Sequence, residues 1–206
     1  MTQIFLVRHG EVAGNVGDKP TFVGWNDLPL NARGCEQAER VAEYLASEKV
    51  QAVYSSDLQR AKNTAEKIAA IHGLSVRIDA DLREVNYGAW EGLGESELVR
   101  EYSLQWQARQ NDPWNVTAVE GESYQQMWHR FLPKWNALVE NHVEETAVLV
   151  AHNGLIRMLL CFLLGAPFEN FKRVHVSNGG VSRIQIDGSK ILVESMGETS
   201  HLKNIL

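Results

Sequence analysis

Three clusters of basic and polar residues, far apart in the chain, could together handle a phosphoryl group. The first is Arg8-His9-Gly10. An imidazole can attack phosphorus through one ring nitrogen when a hydrogen bond holds the other. A neighbouring guanidinium offers a fork of donors that matches phosphate oxygens. Gly10 has no side chain to keep an anion from the backbone. Alone, the tripeptide reads equally as a surface loop with a stray basic pair. The second cluster is Ser55-Ser56-Asp57 with Arg60. The first three supply helix N-cap chemistry, so Arg60 falls in the first turn, near the positive end of that helix; otherwise it is part of a solvated face. The third is His152, by itself an ordinary core-edge histidine. Beside His9 it would be a second imidazolium, stabilising charge that builds on the equatorial oxygens. Glu84, in Leu82-Arg83-Glu84-Val85, could protonate a leaving alcohol, although a lone loop glutamate is more often simply solvated.

These residues matter only if the fold brings them together. Ile4 to Val7 is a short continuous apolar run, the pattern of a strand buried on both faces, and Arg8-His9 stand at its end. A loop rich in Gly, Pro, Asn and Asp follows from Gly10 to Pro29. Ala38, Val41, Ala42 and Leu45 recur at helical spacing within 32–47. Ala52 to Tyr54 is a second strand, ending at Ser55-Ser56. Leu58, Ala61, Ala65, Ile68 and Ala69 form the stripe of a second helix, closed by Gly73. Val76 to Ile78 is a third strand. Helices are expected over 95–109 and 123–142, the latter kinked or broken at Pro133, with a loop over 111–122 between them. Ala147 to Ala151 is a fourth strand ending at His152, and 155–164 is a nearly all-apolar core helix. The tail, 173–195, reads as two or three strands with a turn at Asp187-Gly188. Alternating strands and helices predict an α/β fold, a three-layer α/β/α sandwich around a mainly parallel sheet. In such sheets ligands bind beyond the carboxyl ends of the strands. The three clusters converge there.

Bulk properties narrow the function. The chain has 206 residues, 44% of them hydrophobic, and a formal net charge of −6. That length suits one domain. The acidic balance disfavours nucleic acid and anionic membranes as partners. Cys35 and Cys161 are too isolated for a metal site or a disulfide framework, and both read as buried or half-buried in a reducing compartment. The N-terminus lacks signal-peptide character, and Leu155 to Gly165 is too short and too charged to span a bilayer; a cytoplasmic location is expected. His72, His129, His142, His175 and His201 form no ligand pairs, and no GxxxxGK[ST] or GxGxxG loop is present. No metal or cofactor is expected.

Assembled, these segments resemble the histidine phosphatase (phosphoglycerate mutase-like) superfamily. Leu6-Val7-Arg8-His9-Gly10-Glu11 with Asn15 looks like the first signature. Gly24-Trp25, Asp27, Pro29-Leu30, Gly34 and Gln37-Ala38 follow in order. Ser55 to Ala61 with Thr64-Ala65-Glu66, and Leu82-Arg83-Glu84 with Gly88 and Trp90-Glu91-Gly92, match the next blocks. Gly121-Glu122-Ser123 and Ala151-His152-Asn153-Gly154 with Ile156-Arg157 match the last. The resemblance implies that His9 becomes phosphohistidine and that Arg8, Arg60, His152 and Asn15 hold the oxygens. It implies that Glu84 protonates the leaving group and then helps activate water, without a metal. Gly10 and Asn153 would also border the substrate. Val12, where many relatives carry Ser or Thr, and Asn153, where Gly is common, depart from the pattern. A small helical cap over the site is implied, with 93–122 supplying much of it.

Within that family, hydrolysis is favoured over mutase activity. The mutases carry Arg-x-Tyr-Gly after the acid, whereas Glu84-Val85-Asn86-Tyr87-Gly88 lacks that arginine. The expected partner is a small phosphomonoester, such as alpha-ribazole phosphate or a sugar phosphate. Phosphoglycerate mutation and a weakly catalytic binding or regulatory module are the alternatives, and a homodimer is left open. Trp25, Trp90, Trp106 and Trp114 could line a partly apolar cleft, with core packing the role of at least half. Arg100 and Arg109, on the expected cap helix, read as solvent-facing.

Overall fold

The computed structural model describes residues 1–15, 20–203 and 205, Asn15 by its backbone alone. One six-stranded sheet organises them. Its strands are β1 (Thr2–Arg8), β2 (Val50–Ser55), β3 (Val76–Ile78), β4 (Thr146–Ala151), β5 (Val181–Asp187) and β6 (Lys190–Glu198), in the order β3-β2-β4-β1-β5-β6. The first four in that order are parallel; β5 and β6 run antiparallel as a terminal hairpin. The hairpin turns at Asp187-Gly188, and the tail holds two strands rather than three.

Strand pleating sorts the apolar residues into two cores. Phe5, Val7, Val53, Val148 and Val150 face Val41, Leu45, Ala61 and Ile68 of helices α1 (Ala32–Leu45) and α2 (Gln59–Ile71). Ile4, Leu6, Ala147 and Leu149 face the other way, onto Met127, Phe131, Trp135 and Leu155 of α5 (Tyr124–Asn141) and α6 (Asn153–Leu163). Three layers result, as expected from the unalternating apolar runs. A smaller cluster of Trp90, Leu98, Trp106 and Ala118 organises α3 (Glu95–Glu101) and α4 (Ser103–Asn111) to one side.

Several details differ from expectation, each for a tertiary reason. Residues 95–109 form two helices, because the chain turns at Tyr102, whose ring packs near Trp90. Helix α5 runs unbroken through Pro133. The lost hydrogen bond is offset by a buried stripe of Met127, Phe131, Trp135 and Leu138. Ser55-Ser56-Asp57 do not cap α2. Its N-cap is Leu58, which makes no side-chain cap bond. Instead Asp27 reaches across from the loop before α1 and accepts from the Gln59 N–H at 2.7 Å. Asp57 is taken by Arg83, whose Nε donates to it at 2.6 Å. Cys161 is buried, but Cys35 is exposed, because its place on α1 lies away from the buried face of Gly34, Gln37, Ala38 and Val41. Among the described residues no helix is long and apolar enough to cross a membrane.

Candidate active site

The parallel pairing of β1 with β4 sets Arg8 opposite Ala151. The next residue of each strand is a histidine, so His9 and His152 emerge side by side. The His9 N–H extends the ladder, donating to Ala151 O at 3.1 Å, and the two rings lie 5.2 Å apart between centroids. Strand β2, on the far side of β4, delivers Ser55-Ser56, and α2 then directs Arg60 back to the same edge. Register alone therefore gathers three segments spread over 8–152.

Both imidazoles are buried, His9 at 4% exposure and His152 at 0%. The His9 Nδ1 lies 2.7 Å from the Gly10 carbonyl oxygen. A carbonyl only accepts, so Nδ1 carries the proton and Nε2 keeps a free lone pair. Burial first, then the charges of Arg60 and Arg8, hold His9 well below the usual imidazole range. His152 is pushed down by burial, then by Arg60 and His9. These causes favour the neutral form of the ring, where the sequence suggests a second imidazolium beside bound phosphate. Its Nε2 lies 2.8 Å from Ser56 Oγ, and its Nδ1 is buried without a partner among the described residues.

Two guanidinium groups complete the anion site. Arg8 donates from Nη1 to Val176 O at 2.7 Å, and Arg60 donates from Nη1 and Nη2 to Asn26 O and Gly24 O at 2.9 and 2.6 Å. In each, Nε is buried and has no partner among the described residues. Among the described residues no carboxylate lies within ion-pair distance of either. Burial pulls Arg8 down to about 10 and lowers Arg60 in the same direction. Arg8 at that value remains charged at neutral pH. Arg60 is buried and Arg8 half-buried, with the nearby Glu84 charge offsetting part of the cost at both; a phosphate dianion would add charge and acceptors beside them. A cavity of about 180 Å³ lies between them, lined among others by Arg8, His9, Arg60, Glu84 and Asn153.

Glu84 faces this cavity, 9% exposed. Its carboxylate accepts from Val85 N–H at 3.0 Å and from Gly154 N–H at 2.8 Å, at the start of α6. A Cβ at Gly154 would stand 2.6 Å from Glu84 Oε1, which explains the glycine after His152-Asn153. The acid-bearing loop is clamped from behind. Arg130 donates to the carbonyls of Asp81, Arg83 and Glu84 at 2.7–2.9 Å while pairing with Glu122. Trp25 Nε1 also donates to Glu84 O, at 2.7 Å.

The sequence-predicted residues Arg8, His9, Arg60, Glu84, His152 and Asn153 are therefore brought together. Gly10 has a different part. Its N–H donates to Thr64 Oγ1 at 3.1 Å, and a Cβ there would meet Gly34 O at 2.3 Å, so its bareness serves packing against α1 rather than anion approach. The side chain of Asn15 lies outside the described residues. Val12 is fully buried and does not line the cavity. Trp25 braces Glu84 instead of lining a cleft; Trp90 is core, and Trp106 borders a second cavity. Arg100 is exposed as expected. Arg109 is not: it is 3% exposed, drawn inward by acceptors and aromatic rings. Thr64 and Arg130 are site residues that the sequence reading does not single out, and Ser56 enters that reading only as helix-cap chemistry. Thr64 alone carried a local signal, one helical turn after Arg60.

The histidine phosphatase superfamily (branch 1) profile matches residues 4–199. The chain belongs to this superfamily. It is 34% identical over 208 residues to a protein of Yersinia enterocolitica named probable phosphoglycerate mutase GpmB, covering 98% of this chain and 95% of that one. The solved alpha-ribazole phosphatase of Shigella flexneri superposes with a TM-score of 0.86 at 28% identity, over 95% of this chain and 96% of that one. A mycobacterial glucosyl-3-phosphoglycerate phosphatase does so with a TM-score of 0.82 at 28% identity, over 96% and 99%. The fold and family expected from the ordered blocks are thereby established.

The neutral histidines also bear on stability. Both His9 and His152 have folded-state values depressed below the unfolded imidazole, so the unfolded chain binds more protons below about pH 6.5. Their contribution is intact above that pH and is lost as pH falls from about 6.5 towards the folded values. We expect the urea midpoint to drop between pH 7 and 5, each histidine adding at most about 1.4 kcal/mol per pH unit. The double substitution of His9 and His152 by glutamine should flatten that slope, and an unchanged slope would contradict the assignment.

Proposed function

We propose that this protein is a phosphomonoester hydrolase that works through a phosphohistidine on His9. The observation that carries the reading is the His9 imidazole itself: buried, neutral, its Nδ1 proton committed to Gly10 O, and set beside one buried and one half-buried guanidinium that have no carboxylate within ion-pair distance among the described residues. Nε2 attacks phosphorus as the ester P–O bond breaks, and Glu84 gives its proton to the departing oxygen. Water, losing a proton to Glu84, then attacks the phosphohistidine and releases inorganic phosphate and the free imidazole. Arg8 and Arg60 bear the charge on the phosphoryl oxygens throughout. His152 serves as a neutral donor: with the Ser56 hydroxyl donating to its Nε2, the ring proton sits on the unpartnered Nδ1. Asn153 borders the ester side of the cavity. The partner is a small-molecule phosphomonoester, in keeping with the cavity's size.

Phosphoglycerate mutation shares the first half-reaction and differs in the acceptor of the phosphoryl group. The name of the Yersinia relative favours it; the phosphatase names of the two solved neighbours favour hydrolysis. A panel of phosphomonoesters assayed in excess chelator separates them. Undiminished phosphate release supports metal-independent hydrolysis. Interconversion of phosphoglycerates that depends on a bisphosphoglycerate primer, without phosphate release, supports the mutase.

Ser56→Ala offers a finer check. Loss of one buried hydrogen bond that fixes the His152 proton should lower kcat by roughly tenfold, with KM for the same ester little changed. An unaltered kcat would remove Ser56 from the mechanism.

A further inference from the structure

Three consecutive residues, Gly24-Trp25-Asn26, stand between the guanidinium that faces the phosphate cavity and the carboxyl that moves the proton. The Gly24 and Asn26 carbonyls accept from Arg60 Nη2 and Nη1 at 2.6 and 2.9 Å. The side chain between them, Trp25, donates from Nε1 to Glu84 O at 2.7 Å. One short run of chain therefore touches both halves of the chemistry.

The run is itself firmly held. The Trp25 N–H donates to Glu91 Oε1 at 2.6 Å, and the Tyr87 N–H donates to the same oxygen at 3.2 Å, so Glu91 ties the run to the loop that follows Glu84. Gly24 has a φ of +50°, and a Cβ there would collide with the Glu91 carboxylate, so the close approach requires glycine. Asp27 accepts from the Gln59 N–H, one residue before Arg60. The indole is half-buried, and the Arg83 and Arg130 guanidiniums lie over its ring, 4.6 and 5.8 Å from the centre.

The other ties on the acid-bearing loop lead elsewhere. Arg130 donates to the same Glu84 carbonyl at 2.8 Å but anchors it to Glu122 and α5. Arg83 anchors the loop to Asp57. The Glu84 carboxylate rests on the Val85 and Gly154 N–H groups. Among the described residues, the bond from Trp25 is the one that links Glu84 to the acceptors of Arg60.

We propose that Trp25 is a positioning residue for the proton-transfer step: through Nε1 it fixes the Glu84 carboxyl relative to the phosphoryl group that Arg60 holds. This rests on the hydrolytic reading above and adds a residue to it. Trp25 does not line the phosphate cavity and acts through Glu84. Without its bond the acid shifts against the ester oxygen, and catalysis is steeply sensitive to such displacement. Phosphate binding is spared, because the carbonyls that orient Arg60 belong to the backbone.

Trp25→Phe tests this, since it removes the Nε1 donor and keeps a ring under Arg83 and Arg130. Rates are taken per active site, counted by the phenol burst, so that misfolded protein drops out. For an alkyl phosphate we expect kcat to fall about tenfold, with KM and the phosphorylation rate of an aryl phosphate within about twofold of wild type. In a Glu84→Gln background the same substitution should cost the alkyl ester less than about twofold, because the group it positions is already disabled. Equal losses for alkyl and aryl esters, the full loss repeated in the Glu84→Gln background, or wild-type rates in Trp25→Phe would each overturn the positioning role while leaving hydrolysis standing. Absence of both phosphate release and a phenol burst from the unaltered protein would instead overturn the hydrolytic reading, and this role with it.

Discussion

Replacing His9 by alanine is expected to lower turnover of an aryl phosphate by at least about a thousandfold. The magnitude follows from closing the covalent route. Arg8 and Arg60 still bind the phosphoryl group in the variant, but no other neutral nucleophile stands where His9 Nε2 does. His152 sits 5.2 Å away, ring to ring, and its Nε2 is engaged with Ser56. KM should change far less than kcat, since the cationic donors persist. Folding is not at risk from a void alone, because the site is polar and water can enter it. Relief of a buried imidazole that resists protonation should even raise stability slightly below pH 6. Near-normal rates in this variant would sink the mechanism.

The second large effect concerns Glu84. Glu84→Gln keeps an acceptor for the Val85 or Gly154 N–H groups but removes the proton that the leaving oxygen needs. For alkyl phosphates, whose alkoxides leave poorly, we expect kcat to fall by about 10²–10³. For an aryl ester with an acidic phenol the first step needs little help, so the fall in the phosphorylation rate should be several-fold at most. That dependence on the leaving group distinguishes a proton donor from a residue that merely shapes the pocket. Equal losses for both ester classes would assign Glu84 to structure. The clamp formed by Arg130 and Glu122 predicts a related, weaker pattern, because it acts only by holding the loop that carries the acid.

Much of this site could be read before any coordinates, for a reason that lies in the sheet. Arg8, His9 and His152 each follow a short, unbroken apolar run, and such runs mark strands buried on both faces. Once those strands are parallel, their ends coincide, and the residues just beyond them must meet. Arg60 was legible through helix position. Glu84 was not legible locally: nothing in Leu82-Arg83-Glu84-Val85 reveals that Gly154, seventy residues on, supplies its partner N–H. Only the order of motif blocks singled it out. The errors share a cause. Asp57, Ser56 and Gly10 were assigned by local rules for caps and bare backbones, while Arg83, His152, and the Thr64 and Gly34 pair claimed them through space. Arg109 looked like a solvent-facing helix residue because its acceptors, Val116 and Glu122, come from a loop with no periodicity. Tertiary partners of charged residues are what a single sequence conceals most.

The most direct test of the central claim is chemical trapping. Wild-type protein would be mixed with a saturating aryl phosphate, quenched in alkali on the millisecond scale, digested, and mapped by mass spectrometry. We expect a base-stable, acid-labile phosphoryl group on His9, appearing with a burst of the phenol and absent from His9→Ala. A phosphoryl group recovered on any other residue, or steady hydrolysis with His9 unlabelled throughout the time course and no burst, would contradict the phosphohistidine mechanism.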